Sequence, residues 1–406
     1  MPGPGGRVFT GLATVQVFAL LAAMAQIDPV EFAKALIRRP SVTPRDDGAM
    51  DVVQQALEGL GFACRPMRFG EIENLYARIG SQGPNLCFAG HTDVVPPGEE
   101  AAWSSGPFEG EVREGVLYGR GAADMKGGIA AFVAAAAGVL ASGPPKGSLS
   151  LLITGDEEGV ATHGTVKVVE ALIAEGEAID ACVVGEPSSA ETLGDMVKIG
   201  RRGSLSAEIA VFGKQGHVAY PHRAANPVRP LVKLLDRLQT HVLDHGYPEF
   251  QPSNLEVTSV DVGNAATNVI PARATARLNI RFNPAYTSQT LIEWIEAERA
   301  RTEADYIGVK IDVGVHVSGE AFLTEPGPFV EVVQEACEAT LGRRPELSTT
   351  GGTSDARFIR RLCPVVELGL VGKSMHGVDE HVPEQDLRDL TRLYGALIER
   401  FFARFG

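Results

Sequence analysis

The chain has 406 residues, 44% of them hydrophobic, and a formal net charge of −14 at pH 7. That length and apolar content support a sizeable core and two domains rather than one. The acidic balance excludes nucleic acid as an expected partner, because phosphate binding needs basic surface, but an anionic small molecule needs only a local arginine cluster.

In chain order, the first apolar stretch is "VFTGLATVQVFALLAAMAQ". Ala23-Met24-Ala25 resembles a signal-peptidase site, yet only Arg7 supplies positive charge before it, and the run is short for a membrane span. Residues 1–25 read as an extension, disordered or upstream of a start at Met24, and no membrane partner is expected. Helices are predicted over 28–38, with Asp28 as N-cap and Pro29 as first helical residue, and over 49–60. Short apolar strands then alternate with helices: "NLYARIG", "NLCFAG", the Ala-rich helix "MKGGIAAFVAAAAGVL", "SLSLLITG", a helix through 164–175, and "DACVVG". This rhythm predicts an α/β fold whose mixed, largely parallel sheet has helices on both faces.

Near residue 200 the texture changes. "SLSAEIAVFG", "NLEVTSVDVG" and "ARATARLNIRFN" alternate apolar and polar residues, separated by helical stretches at about 226–244 and 287–302. After about residue 317 the chain returns to helices of the first kind. The expected organisation is a discontinuous main domain, 26–202 and 317–406, interrupted by an α+β insert, 203–316. The five cysteines, Cys64, Cys87, Cys182, Cys337 and Cys363, form no CxxC pair and are odd in number. They read as free thiols in a reducing cytoplasm.

Polar residues gather where apolar runs end. "NLCFAG" leads into His91 and Asp93, "SLSLLITG" into Asp156, Glu157 and Glu158, "DACVVG" into Glu186, and "VVELGL" towards His376. Asp124 opens the Ala-rich helix, where an N-cap is the bland alternative. Ligands of open α/β sheets bind at the carboxyl ends of strands, so these residues are candidates for one site. Two histidines with several carboxylates suit zinc or a similar divalent ion. Two ions sharing one carboxylate would give each a His, a Glu and the shared Asp. Asp93, two residues after His91, is placed to hold the imidazole by its second nitrogen. One glutamate of "DEEG" can hold metal while its neighbour moves protons. Spacing leaves open which does which.

"GHTDVVP", "GRGAADMKGG", "GDEEG", "GEP" and "MHGVDE" resemble, in order and spacing, the M20 peptidases, a family of dizinc aminoacylases and carboxypeptidases; the likeness spans about residues 26–402. It implies that His91 and Glu186 bind one zinc and Glu158 and His376 the other, with Asp124 between them and Co2+ able to substitute. It further implies that Glu157 is the general acid/base, that Asp93 is the partner of His91, and that Asp156 has a structural or surface role. The insert would be a dimerisation domain of a homodimer, with His217 and Asn268 reaching the partner subunit's site, and His217 donating to the developing oxyanion. Within the family, "GRRGSLSAEIAVFGKQGHVAYPHRAANP", "TNVIPARATARLNIRF" and "GGTSDARFI" are similar to members that hydrolyse the succinyl amide of N-succinyl-LL-2,6-diaminopimelate, on the way to lysine and peptidoglycan precursors. In that branch Arg201, Arg281, Gly352 and Thr353 would grip the carboxylates of the substrate. N-acetylornithine deacetylation, or another aminoacylase or dipeptidase activity, is the alternative.

Overall fold

The structure is a computed structural model and describes residues 27–406. The extension expected over residues 1–25 and the start at Met24 lie outside the described residues. Among the described residues, no helix is long and apolar enough to cross a membrane, and all five cysteines are free.

The chain divides into two compact units. The first takes the described residues up to Ile199, then Thr324–Leu347 and Phe358–Gly406; the second takes Gly200–Leu323 and Ser348–Arg357. The boundaries therefore lie outside the 203–316 read from the sequence, for a reason in the backbone. Gly200–Arg201 pairs antiparallel with Phe322–Leu323, which draws both ends of the insert into the second unit. Arg201 Nη1 donates to the Thr350 carbonyl at 2.9 Å, which holds the later segment there as well.

In the first unit, eight strands lie side by side in the order Ala63–Pro66, Leu75–Ile79, Ser148–Thr154, Asn85–His91, Ala181–Val184, Val365–Glu367, Met196–Lys198, Glu346–Ser348. Ser148–Thr154, Asn85–His91, Ala181–Val184 and Val365–Glu367 pair parallel with one another, and antiparallel pairs flank them. Both Asn85–His91 and Ser148–Thr154 are buried along their whole length, as strands covered on two faces must be. That explains the apolar runs Leu86–Ala89 in the first and Leu151–Ile153 in the second. The helix Lys126–Ala141 is buried through its first three turns, and its Phe132 stacks on Phe88 at 4.2 Å between ring centroids. Tyr394, from the last helix Glu384–Phe405, meets both rings edge-on and donates its hydroxyl to the Leu368 carbonyl. Gly128 lets Lys126–Ala141 approach closely: a Cβ there would lie 2.6 Å from the Gly185 carbonyl oxygen, at the end of Ala181–Val184. Asp28 caps the first helix, Pro29–Ile37, by accepting from the Val30 and Glu31 amides.

The second unit is a four-stranded antiparallel sheet in the order Asn254–Asp261, Arg273–Phe282, Gly203–Phe212, Lys310–Gly319, with the helices Val228–Gln239 and Ser288–Ala304. Leu205, Ile209, Leu278 and Ile280 point to one side and pack with Leu231, Leu234, Leu291 and Ile295 in a common core. Glu208 and Arg277 pair across the other, solvated face at 3.0 Å. The period-two alternation in the sequence is this half-buried geometry.

Candidate active site

The carboxyl ends of the parallel strands deliver their polar residues to one place. His91 ends Asn85–His91, the Glu157–Glu158 turn follows Ser148–Thr154, and Glu186 follows Ala181–Val184. Asp124 stands just before Lys126–Ala141. Its two carboxylate oxygens face two imidazoles: Oδ1 lies 3.2 Å from His91 Nε2, and Oδ2 lies 3.4 Å from His376 Nε2. Glu186 Oε1 is 3.6 Å from His91 Nε2, and Glu158 Oε1 is 2.9 Å from His376 Nε2. Three groups here have ligand atoms close enough to share an ion: His91 with Asp124 and Glu186; Asp124 with Glu158 and His376; His91 with Glu157 and Glu158.

Asp93 holds this arrangement in two ways. Its backbone carbonyl accepts from His91 Nδ1 at 2.8 Å, which fixes the ring and leaves Nε2 facing Asp124. Its carboxylate stands farther from that nitrogen, at 3.7 Å. It accepts instead from the Glu157 and Glu158 amides at 3.2 and 3.1 Å. The contact expected between the Asp93 side chain and His91 thus runs mainly through the main chain, and the carboxylate anchors the turn that carries both glutamates. Asp156 is buried, and its Oδ2 accepts from the Thr162 and His163 amides at 2.9 Å each, so it ties down the far end of the same loop.

The electrostatics are those of a cluster built around positive charge. Burial opposes the charged form of His91, yet Asp124, Glu186 and Glu157 hold its pKa well above the usual histidine range. Hydrogen bonds to Asp124 and Glu158 lift His376 to about 10. Asp124 is held below the ordinary carboxylate range, against its burial, by the two imidazoles. Burial, with the charges of Asp124 and Glu157, pushes Glu186 well up, and its Oε1 is buried with no hydrogen-bond partner. Burial pushes Asp93 to about 6, against the pull of His91 and the two amides. A buried acceptor without a donor, beside one carboxylate split between two imidazoles, fits a pair of divalent ions.

The remaining candidates stand on the second unit. His217 pairs with Val269 in the short ladder formed by Gly216–His217 and Val269–Ile270, and the Val218 amide donates to the Asn268 carbonyl, so His217 and Asn268 are neighbours on an exposed hairpin. His217 Nδ1 accepts from the Ala219 amide at 3.1 Å, which assigns the ring proton to Nε2. Arg201 is buried against the segment carrying Gly352 and Thr353, and a Cβ on Gly351 would strike its guanidinium. Arg281 lies half-buried across from Asn254, which accepts from Arg202 at 2.9 Å. Burial and Arg202 together depress the pKa of Arg281, and its Nη1 has no hydrogen-bond partner.

Two residues of the first unit escaped the sequence reading. Glu380 and Arg120 are buried and form an ion pair at 2.8 Å beside Asp124. The "MHGVDE" motif contains Glu380, four residues after His376, and that position was the available signal.

The sequence model of peptidase family M20/M25/M40 matches residues 87–400. A succinyl-diaminopimelate desuccinylase of Phenylobacterium zucineum is 68% identical over 379 residues, which cover 93% of this chain and the whole of that protein. Among solved structures, the M20 family metallo-carboxypeptidase Sso-CP2 of Sulfolobus solfataricus shares the fold with a TM-score of 0.76 at 16% identity, covering 93% of this chain and 99% of that one. A Bacillus subtilis M20 peptidase, described as dinuclear metal binding, gives a TM-score of 0.68 at 17% identity over 96% and 99% of the two chains.

Proposed function

The chain belongs to peptidase family M20/M25/M40, whose members are hydrolases, and from that premise we propose that it cleaves the succinyl amide of N-succinyl-LL-2,6-diaminopimelate to succinate and LL-2,6-diaminopimelate. The observation that carries the metal chemistry is the single carboxylate of Asp124 facing one imidazole with each oxygen. His91 and Glu186 would hold one ion, Glu158 and His376 the other, and Asp124 both. Mixed imidazole and carboxylate donors suit Zn2+, with Co2+ able to replace it. When bound, such a pair supplies Lewis acidity at the amide carbonyl and an acidified water.

The chain's own groups do the rest. Glu157, next to a metal-ligating glutamate and on a turn fixed by Asp93, takes the proton of the attacking water and returns it to the leaving nitrogen. His217, with its proton on Nε2, donates to the carbonyl oxygen as charge develops there; in the homodimer proposed here it comes from the partner subunit's insert, together with Asn268. Arg201 and Arg281, with donors from Gly352 and Thr353, bind the carboxylates of the substrate. An anionic substrate and a cytoplasmic setting accompany this reading.

The test is hydrolysis by zinc-loaded protein, with N-succinyl-LL-diaminopimelate and N-acetylornithine assayed side by side and a chelated control. Metal-dependent preference for the succinyl compound is expected. Preference for N-acetylornithine would keep the metal reading and overturn the arginine assignments.

A further inference from the structure

Beneath the metal-ligating residues lies a buried knot with no part in the chemistry so far. Glu380 is fully buried, and its carboxylate accepts four hydrogen bonds. Oε1 takes the Ala123 and Asp124 amides at 2.9 and 3.0 Å. Oε2 takes the Gly121 amide at 3.0 Å and Arg120 Nη1 at 2.8 Å. Arg120, 2% exposed, spreads its guanidinium further: Nη2 reaches the carbonyls of His376 and Pro96, at 3.4 Å each, and the group lies over the Trp103 ring. The Gly119 amide closes the knot by donating to the Glu380 carbonyl at 2.9 Å. Two loops far apart in sequence are thereby fastened together, one carrying Asp124 and the other His376.

We infer that Glu380, braced by Arg120, is a positioning residue that sets the distance and facing of Asp124 and His376, and so determines whether the second metal ion is held. The physical argument is geometric. Asp124 can serve two ions only if its carboxylate plane stays between both imidazoles, and the main chain that aims it hangs from Glu380 by the Asp124 amide itself. The other three donors fix the residues leading into it. The His376 backbone is tied to the same group through Arg120. The side chains of Glu380 and Arg120 face backbone and each other, so they act through the ligands and not on substrate. This rests on the two-ion reading above.

The experiment uses the whole protein, stripped of metal and titrated with Co2+ alone, followed by calorimetry and by the visible absorption of the bound cobalt. Wild type is expected to take up two ions per chain. The E380Q side chain keeps its size but turns one acceptor into an amide donor aimed at N–H groups, so two of the four bonds are lost. The first ion should then bind as in wild type, and the second about 10- to 100-fold more weakly, with a changed cobalt spectrum. R120K keeps the charge but loses the fork, and is expected to act the same way; it carries the test if E380Q fails to fold. Two ions bound with wild-type affinity and an unchanged spectrum would overturn the inference, even if the unfolding temperature falls, because Glu380 would then be structural only. A wild-type titration that stops at one ion would instead overturn the two-ion reading, and would do so before any variant is compared.

Discussion

Glu157 and Glu158 are consecutive, and both amides hang from Asp93; Glu158 lies 2.9 Å from His376 Nε2, and in the proposed function it holds metal while Glu157 moves protons. Glu157→Gln is therefore expected to leave metal content unchanged, as measured by atomic emission, while kcat drops by about 10²- to 10⁴-fold. Near-normal turnover would remove Glu157 from its role. His376 gives a pH prediction for the metal-free protein. Its hydrogen bonds to Asp124 and Glu158 raise its pKa from 6.5 to about 10 in the folded chain. A basic group raised in this way contributes stability that is fully present below 6.5 and is lost as pH rises towards 10. In chelated samples unfolded by urea, the stability gap between wild type and His376→Ala should be widest below pH 6.5 and close as pH approaches 10. A gap that stays constant over this range would show that the imidazole's charge is not held by those carboxylates. With His376 as a ligand, as proposed, metal affinity should have the opposite dependence, because an ion must displace that proton.

At the scale of elements, strands end where the site begins, and a helix has to come close enough to support them. Gly128 provides that approach, against the Gly185 carbonyl just before Glu186. Gly128→Ala is expected to destabilise the fold by about 1–3 kcal/mol through this overlap, read by urea unfolding. An unchanged midpoint would mean the helix shifts freely. The same elements explain what could be read in advance. "NLCFAG" and "SLSLLITG" are buried on both faces, so each carries a short apolar run, Leu86–Ala89 and Leu151–Ile153, and the polar residues that follow stand out. "SLSAEIAVFG" has one solvated face and alternates instead. Glu380 was not legible for the converse reason. Three of the four donors to its carboxylate are main-chain amides 256 to 259 residues earlier, and an amide carries no side-chain signature. The membership of 348–357 in the second unit was equally hidden, since its visible ties, Arg201 to the Thr350 carbonyl and Thr349 to the Glu249 carbonyl, end on main-chain oxygens far away in sequence. The resemblance sets Asp156 apart as structural or surface; its burial and its two amide donors, Thr162 and His163, supply the structural side of that reading.

At the scale of the molecule, the proposed homodimer predicts complementation between two damaged chains. Glu157→Gln and His217→Ala should each be inactive alone. In a mixed dimer, one site would combine an intact Glu157 with the intact His217 of its partner. Equal mixing after subunit exchange should restore about a quarter of the wild-type sites. No recovery from confirmed mixed dimers would place His217 outside the partner's site. A last consequence follows from Glu186, whose buried Oε1 has no donor and whose carboxyl is raised by burial and neighbouring charge. Without ions the folded chain keeps carboxylates crowded at one point, a burden that the unfolded chain escapes. An ion at a hundred times its Kd would add about 2.7 kcal/mol of stability for each site filled, so the melting temperature should climb with added Zn2+. A chain starved of metal is then a better substrate for proteases as well as a poor catalyst. The amount of enzyme in the cell, and not only its rate, would follow the metal supply.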